Sequence, residues 1–172
     1  SGASDTAVMN VVMPDEVGKA AEAIGKIPEI IGTDTKETIE GAAEEYEALS
    51  AQYQLLVGQD LKNKLDDAKK VLNAAQLISE LPEAEEIALT DEDAVNEANR
   101  AYIMLYEDRQ KLLDPELKSK LNAVLKQFNA LKTEHDQEEQ EKEDAAKAQE
   151  VTELINALPE TVTIDDSQQI FH

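Results

Sequence analysis

One internal repeat constrains this chain more than any other feature. The segment Ile24-Gly-Lys-Ile-Pro28 recurs as Ile78-Ser-Glu-Leu-Pro82 and again as Ile155-Asn-Ala-Leu-Pro159. Downstream of the first two prolines the match is free of gaps. Ile39, Ala42, Tyr46, Leu49, Gln54, Leu56, Val57, Leu61 and Leu65 align with Val95, Ala98, Tyr102, Leu105, Gln110, Leu112, Leu113, Leu117 and Leu121, each pair 56 positions apart. A period of this size means one supersecondary unit used more than once, with neighbouring units completing each other's core. The third copy begins with Pro159, Ile164 and Asp165 and reaches Ile170, the counterpart of Ile39, just before His172. The chain therefore reads as a fragment holding two full units and the start of a third.

Within each unit the period is helical. Ile39, Ala42, Ala43, Tyr46 and Leu49 follow i, i+3, i+4, i+7, i+10 spacing, as do Val95, Ala98, Tyr102 and Leu105. Thr33-Asp34 and Thr90-Asp91 offer N-caps for these helices. Breaks are expected near Leu49-Ser50 and Tyr106-Glu107, followed by about two further turns that stop at Gly58 and Asp114-Pro115. Pro115 suits the first turn of the next helix. The loops after Pro28, Pro82 and Pro159 carry β-branched residues (Ile30, Ile31; Ile87; Thr161, Val162, Thr163) and are expected to run extended.

The helix that follows Gly58 has two apolar stripes. Leu61, Leu65, Ala68, Leu72 and Ala75 form one; Val71, Ala74, Ile78 and Leu81 form the other. No Gly or Pro interrupts residues 61–81, so this helix is expected to close the first unit and open the second. The equivalent helix of the second copy is longer by a 21-residue insertion, close to six whole turns at 3.6 residues per turn. The inserted stretch from Lys132 to Glu150 holds no large apolar residue and no breaker. Glu138 with Lys142 and Glu143 with Lys147 are spaced for i, i+4 pairs. One helix is expected over residues 115–158, roughly 65 Å long at 1.5 Å per residue.

These readings give an all-α fold: tandem three-helix-bundle repeats joined by a shared continuous helix, elongated, with a long C-terminal helix. Residues 1–13 form an N-terminal tail or extended segment, in which Ala7-Val-Met-Asn-Val-Val-Met13 is apolar without a helical period. Residues 14–81 form the first unit. Residues 66–158 form the second, which shares helix 61–81 and ends in the acidic helix 115–158. Residues 159–172 begin a truncated third.

Charge limits the partners. Asp and Glu number 38 against 16 Lys and Arg, a formal charge of −22. Such a chain repels phosphate backbones and anionic membranes. No apolar run nears the ~20 residues that span a bilayer. Without cysteine there are no disulfides, thiolate metal sites or cysteine nucleophile. His135 sits in the acidic stretch and His172 ends the chain, neither with a nucleophile or orienting partner in sequence. No Gly-rich phosphate loop or His-Glu helix motif is present. No catalytic, cofactor-binding or metal-ligating residue is assigned, and the chain is read as no enzyme. Asp91-Glu92-Asp93 and Asp165-Asp166 lack the spacing and central Gly of a calcium loop, and helix-dipole complementarity accounts for acids there. Tyr46, Tyr102 and Met104 are expected in the core, Tyr53 and Tyr106 nearer the surface.

The pattern carried by Ile78, Leu81, Pro82, Leu89, Thr90, Asp91, Val95, Ala98, Tyr102, Leu105, Gln110, Leu112 and Leu113, and by their first-copy counterparts, resembles helical-bundle repeat modules of secreted and cell-surface multidomain proteins of Gram-positive bacteria. The resemblance covers roughly residues 20–170. It implies an extracellular, cell-surface location and a non-catalytic role as a structural spacer or stalk. The alternative is an adhesin-like module that binds a host or partner protein. The motif positions are core and cap positions, so no site residue is carried over. The apolar seam Leu117, Leu121, Val124, Phe128 and Leu131 stops before the insertion, so a long coiled-coil dimer is not expected and the chain is read as a monomer.

Overall fold

The computed structural model of the chain describes residues 13–157. The apolar tract before Met13 and the third copy from Pro159 lie outside these residues. Among the described residues every regular element is helical, in seven α-helices: α1 (Asp15–Gly25), α2 (Lys36–Glu47), α3 (Ala51–Val57), α4 (Gln59–Glu80), α5 (Glu92–Ile103), α6 (Tyr106–Gln110) and α7 (Pro115–Ala157). Short 3₁₀ turns at Thr33–Thr35 and Leu89–Asp91 lead into α2 and α5. The chain divides into two compact units, Ser1–Phe128 and Asn129–His172.

The sequence repeat reappears as a repeat of element bounds. The 3₁₀ turns, α2 and α5, and the starts of α4 and α7 all stand 56 residues apart. The same side chains secure the same joints in both copies. Gln54 donates from Nε2 to the carbonyls of Tyr46 (3.2 Å) and Leu49 (3.3 Å), across the break between α2 and α3. Gln110 donates to the Tyr102 carbonyl at 3.2 Å, across the break between α5 and α6. Helix ends leave carbonyls without intrahelical donors, and a lysine supplies one in each copy. Lys64 donates to the Gly25 carbonyl at the end of α1 (3.3 Å), and Lys120 donates to the Ser79 carbonyl near the end of α4 (3.2 Å).

The capping differs from the sequence expectation. Neither Thr33-Asp34 nor Thr90-Asp91 caps α2 or α5 through a side chain. Thr35 donates from Oγ1 to the Gly32 carbonyl at 2.7 Å, and Asp91 accepts from the Ala88 N–H at 2.9 Å. Both residues tighten the 3₁₀ turn ahead of the helix, where short polar side chains bond local backbone well. Side-chain caps occur instead at Ser50, which accepts from Tyr53 N–H at 3.3 Å, and at Asp114, which accepts from Glu116 N–H at 2.8 Å. Pro115 takes the first position of α7.

Both stripes of α4 are buried: Leu65, Ala68, Leu72 and Ala75 on one, Val71, Ala74 and Ile78 on the other. The helix packs against α1 and α2 and also against α5. Ile24, Ile31, Ile39, Val95, Leu113, Leu121 and Val124 complete a core of aliphatic side chains. Between the copies Ile31 makes an isolated parallel bridge with Leu113. Its N–H donates to the Leu112 carbonyl (2.6 Å) and its carbonyl accepts from Asp114 N–H (3.0 Å). Gly32 leaves room here: a Cβ on it would lie 2.8 Å from Asp34 Oδ1 and 3.0 Å from Asp114 Oδ2.

Candidate functional site

The outer part of α7 is built from residues that favour helix by propensity rather than by packing. Buried side chains on α7 end with Phe128, and every residue from Lys132 to Ala157 is exposed. A polar helix of this kind is sustained by local pairs. Lys147 meets Glu143 at 2.7 Å, His135 Nε2 lies 3.5 Å from Glu139, and Gln140 donates to Asp144 at 3.1 Å. The expected Glu138–Lys142 ion pair is not formed. His135 is thus a half-exposed helix residue beside Asp136 and Glu139. Residues 132–157 carry nine acidic and three basic side chains. Val151, Leu154 and Ile155, at i, i+3, i+4 spacing, stand exposed among them. Ile155 opens the third copy of the segment that starts at Ile24 and Ile78, both of which are buried, so its exposure was not legible in the sequence.

A second feature lies in the first compact unit. A cleft of about 670 Å³ is lined by Lys69, Lys70, Met104, Tyr106 and Arg109, among others. Met104 was expected in the core, yet it is 58% exposed and lines the cleft. Met104 keeps helical backbone angles and lies nine residues from Val95, half a turn around the helix, so it faces away from the side that carries buried Val95, Ala98 and Leu105. Tyr106 is 67% exposed and has φ 55°, a left-handed conformation that costs a bulky residue about 1–2 kcal/mol. The counterpart of Tyr106 in the first copy is Ser50, which caps α3 with φ −62°. Arg109 pairs with Asp67, and Lys69 with Glu47 at 3.0 Å. Beyond the cleft, a hydrogen bond to Asp66 (2.7 Å) and that carboxylate's charge hold the Lys62 ammonium above the ordinary lysine range.

Tyr46 and Tyr102 occupy equivalent half-buried positions, and Tyr53 is half-buried as well. Among the described residues no three His, Asp or Glu side chains converge as metal ligands, and no helix is long and apolar enough to cross a membrane. The Asp91 carboxylate is engaged by the Ala88 N–H. Asp165-Asp166 lies outside the described residues.

Residues 127–172 match a family described as CEP152, PLK4 binding region, a family of eukaryotic centriolar proteins. The match takes in the outer part of α7 and covers less than half of the chain. No curated protein and no solved structure matches.

This match corrects the resemblance drawn from the repeat. The matched family is neither bacterial nor secreted, so the reading as a Gram-positive cell-surface or cell-wall module does not stand. The role of bacterial spacer and the extracellular location fall with it, whereas the alternative, a module that binds a partner protein, fits the match better than the spacer does. The physical reason is plain. The motif consisted of core and cap positions, which packing imposes on any helical bundle of this period, so it reports architecture and not descent.

Proposed function

We propose that this chain is a non-catalytic protein-interaction module whose binding element is the outer part of α7. The observation that carries the reading is the unbroken exposure of residues 132–157, with Val151, Leu154 and Ile155 among them. Exposed apolar side chains at i, i+3, i+4 on an acidic helix are the chemistry of helix-in-groove recognition. The complementary partner has an apolar groove flanked by basic side chains. PLK4, the partner printed in the name of the matching family, is the first protein to test.

The rest of the chain acts in this reading as the scaffold that anchors α7. It comprises tandem three-helix units over residues 14–81 and 66–158, with α4 serving both. The recurrence of element bounds and the burial of both α4 stripes support that arrangement. The absence from the sequence of a nucleophile with a matched base supports the non-catalytic reading.

The test is a binding titration of the full chain against purified PLK4, with a variant carrying Val151→Glu, Leu154→Glu and Ile155→Glu. Saturable binding that weakens with added salt is expected for the unsubstituted chain. The triple variant, checked for unchanged helix content, is expected to bind about a hundredfold more weakly, since a few anchors dominate such interfaces. No binding by the unsubstituted chain would overturn PLK4 as partner. Equal binding by both chains would overturn the outer part of α7 as the element.

A further inference from the structure

The cleft in the first compact unit sits at a joint where the two copies of the repeat differ. Four of its lining residues, Ala101, Met104, Tyr106 and Arg109, have Glu45, Ala48, Ser50 and Tyr53 as counterparts 56 positions earlier. The second copy thus loses a carboxylate, gains a guanidinium, and replaces two small side chains with large ones. The exchange lowers stability. Ser50 caps α3 through its side chain, whereas α6 starts at a strained Tyr106 with no side-chain cap. Strain held on an exposed cleft wall, where packing does not require it, points to a binding surface.

Three cationic side chains line this cleft in a chain of charge −22. Lys70 is exposed and has no ion pair among the described residues. The Lys69–Glu47 pair is exposed on both sides, where an ion pair is weak and readily exchanged. Arg109 is held by Asp67, and Asp66, the one carboxylate of the lining, is held by Lys62 at 2.7 Å. With Met104 and Tyr106 exposed beside these cations, the cleft complements an acidic helix that has an apolar face. The chain supplies such a helix itself. On the outer part of α7, Glu150 lies four residues before Leu154 and Asp144 seven before Val151, so both share the face of Val151, Leu154 and Ile155. Lys147, on the same side, is already paired with Glu143 at 2.7 Å.

We propose that the cleft takes the outer part of α7 from a second copy of this chain, with Val151, Leu154 and Ile155 against Met104 and Tyr106 and with Glu150 facing Lys70. Two different surfaces meet in this contact, so the association is head-to-tail. The inference rests on the proposed function in one respect, the use of the same helical face, and it makes self-association and partner binding mutually exclusive. A single helical segment buries little surface, so a dissociation constant of roughly 100 μM is expected.

Sedimentation equilibrium of the full chain across the micromolar to millimolar range is the test. The apparent mass is expected to rise with concentration and to fall back with added salt. Lys70→Glu and Glu150→Lys, both at exposed positions, are each expected to weaken association about tenfold. An equimolar mixture of the two variants is expected to recover it, because the exchanged charges face each other again. Tyr106→Gly is expected to weaken association while raising the melting temperature. A monomer mass at every concentration would overturn the proposal. Association unchanged by Lys70→Glu would overturn it too and assign the contact to α7 faces alone. Adding PLK4 separates this contact from the proposed function. Lys70→Glu is expected to bind PLK4 as the unsubstituted chain does, and self-association without PLK4 binding would support the cleft contact while overturning only that partner. PLK4 binding that leaves self-association intact would overturn the shared face.

Discussion

Helix α4 and the outer part of α7 are both unbroken, and they exist for opposite reasons. Along α4 both apolar stripes are buried, and the helix packs against α1, α2 and α5, so its helicity is a consequence of tertiary packing. From Lys132 to Ala157 nothing on α7 is buried, and helicity rests on propensity, on Glu143–Lys147 and a few similar local pairs, and on continuity with the anchored turns before Phe128. Most helices of this length in water owe their stability to an apolar face that packs. A helix left without one is an element whose face is available to something else.

The comparison can be broken at matched positions. Ile78→Ala empties a fully buried site on α4 and is expected to cost about 2–5 kcal/mol in denaturant unfolding, whereas Ile155→Ala on the exposed face should leave global stability unchanged. Proline sharpens the contrast without touching the core. Lys70→Pro, at an exposed position of α4, is expected to cost about 3 kcal/mol and to lower the stability of both helical copies together. Ala146→Pro, with the same intrinsic penalty, should reduce helix content by circular dichroism and leave the unfolding midpoint of the core unmoved.

Smaller effects test where packing overrides local preference. Tyr106→Gly relieves the left-handed strain and is expected to stabilise the chain by about 1 kcal/mol, read as a raised melting temperature. Ser50→Ala, at the matched break of the first copy, should cost about 1 kcal/mol through the lost cap. Glu143→Gln is the mildest change. It removes one exposed ion pair from α7 and should lower helix content slightly at low salt, an effect of about 0.3–0.5 kcal/mol that added salt erases.

Much of the fold was legible because period and burial coincide. Both α4 stripes, the break before Ser50, the proline at the start of α7 and the unbroken run through the insertion follow from apolar spacing and from the placement of Gly and Pro. What was not legible depends on three-dimensional neighbours. The bridge of Ile31 to Leu113 joins residues from different copies, and nothing local announces it. The strain at Tyr106 has no sequence signal beyond a bulky residue where the other copy has serine. Val151, Leu154 and Ile155 show the limit most clearly, since an apolar triad at helical spacing reads as core until its surroundings are known. Family resemblance failed for a related reason: core and cap residues describe how a bundle packs and not what it meets.

Hydrogen exchange along α7 in the free chain tests the central claim most directly. Strong protection is expected for amides around Leu121 to Phe128, with a steep fall after Lys132 and little protection at Val151 to Ile155 that rises when the proposed partner is added. Uniform strong protection from Pro115 to Ala157 in the free chain would contradict it, because it would mean that the outer part of α7 is already packed.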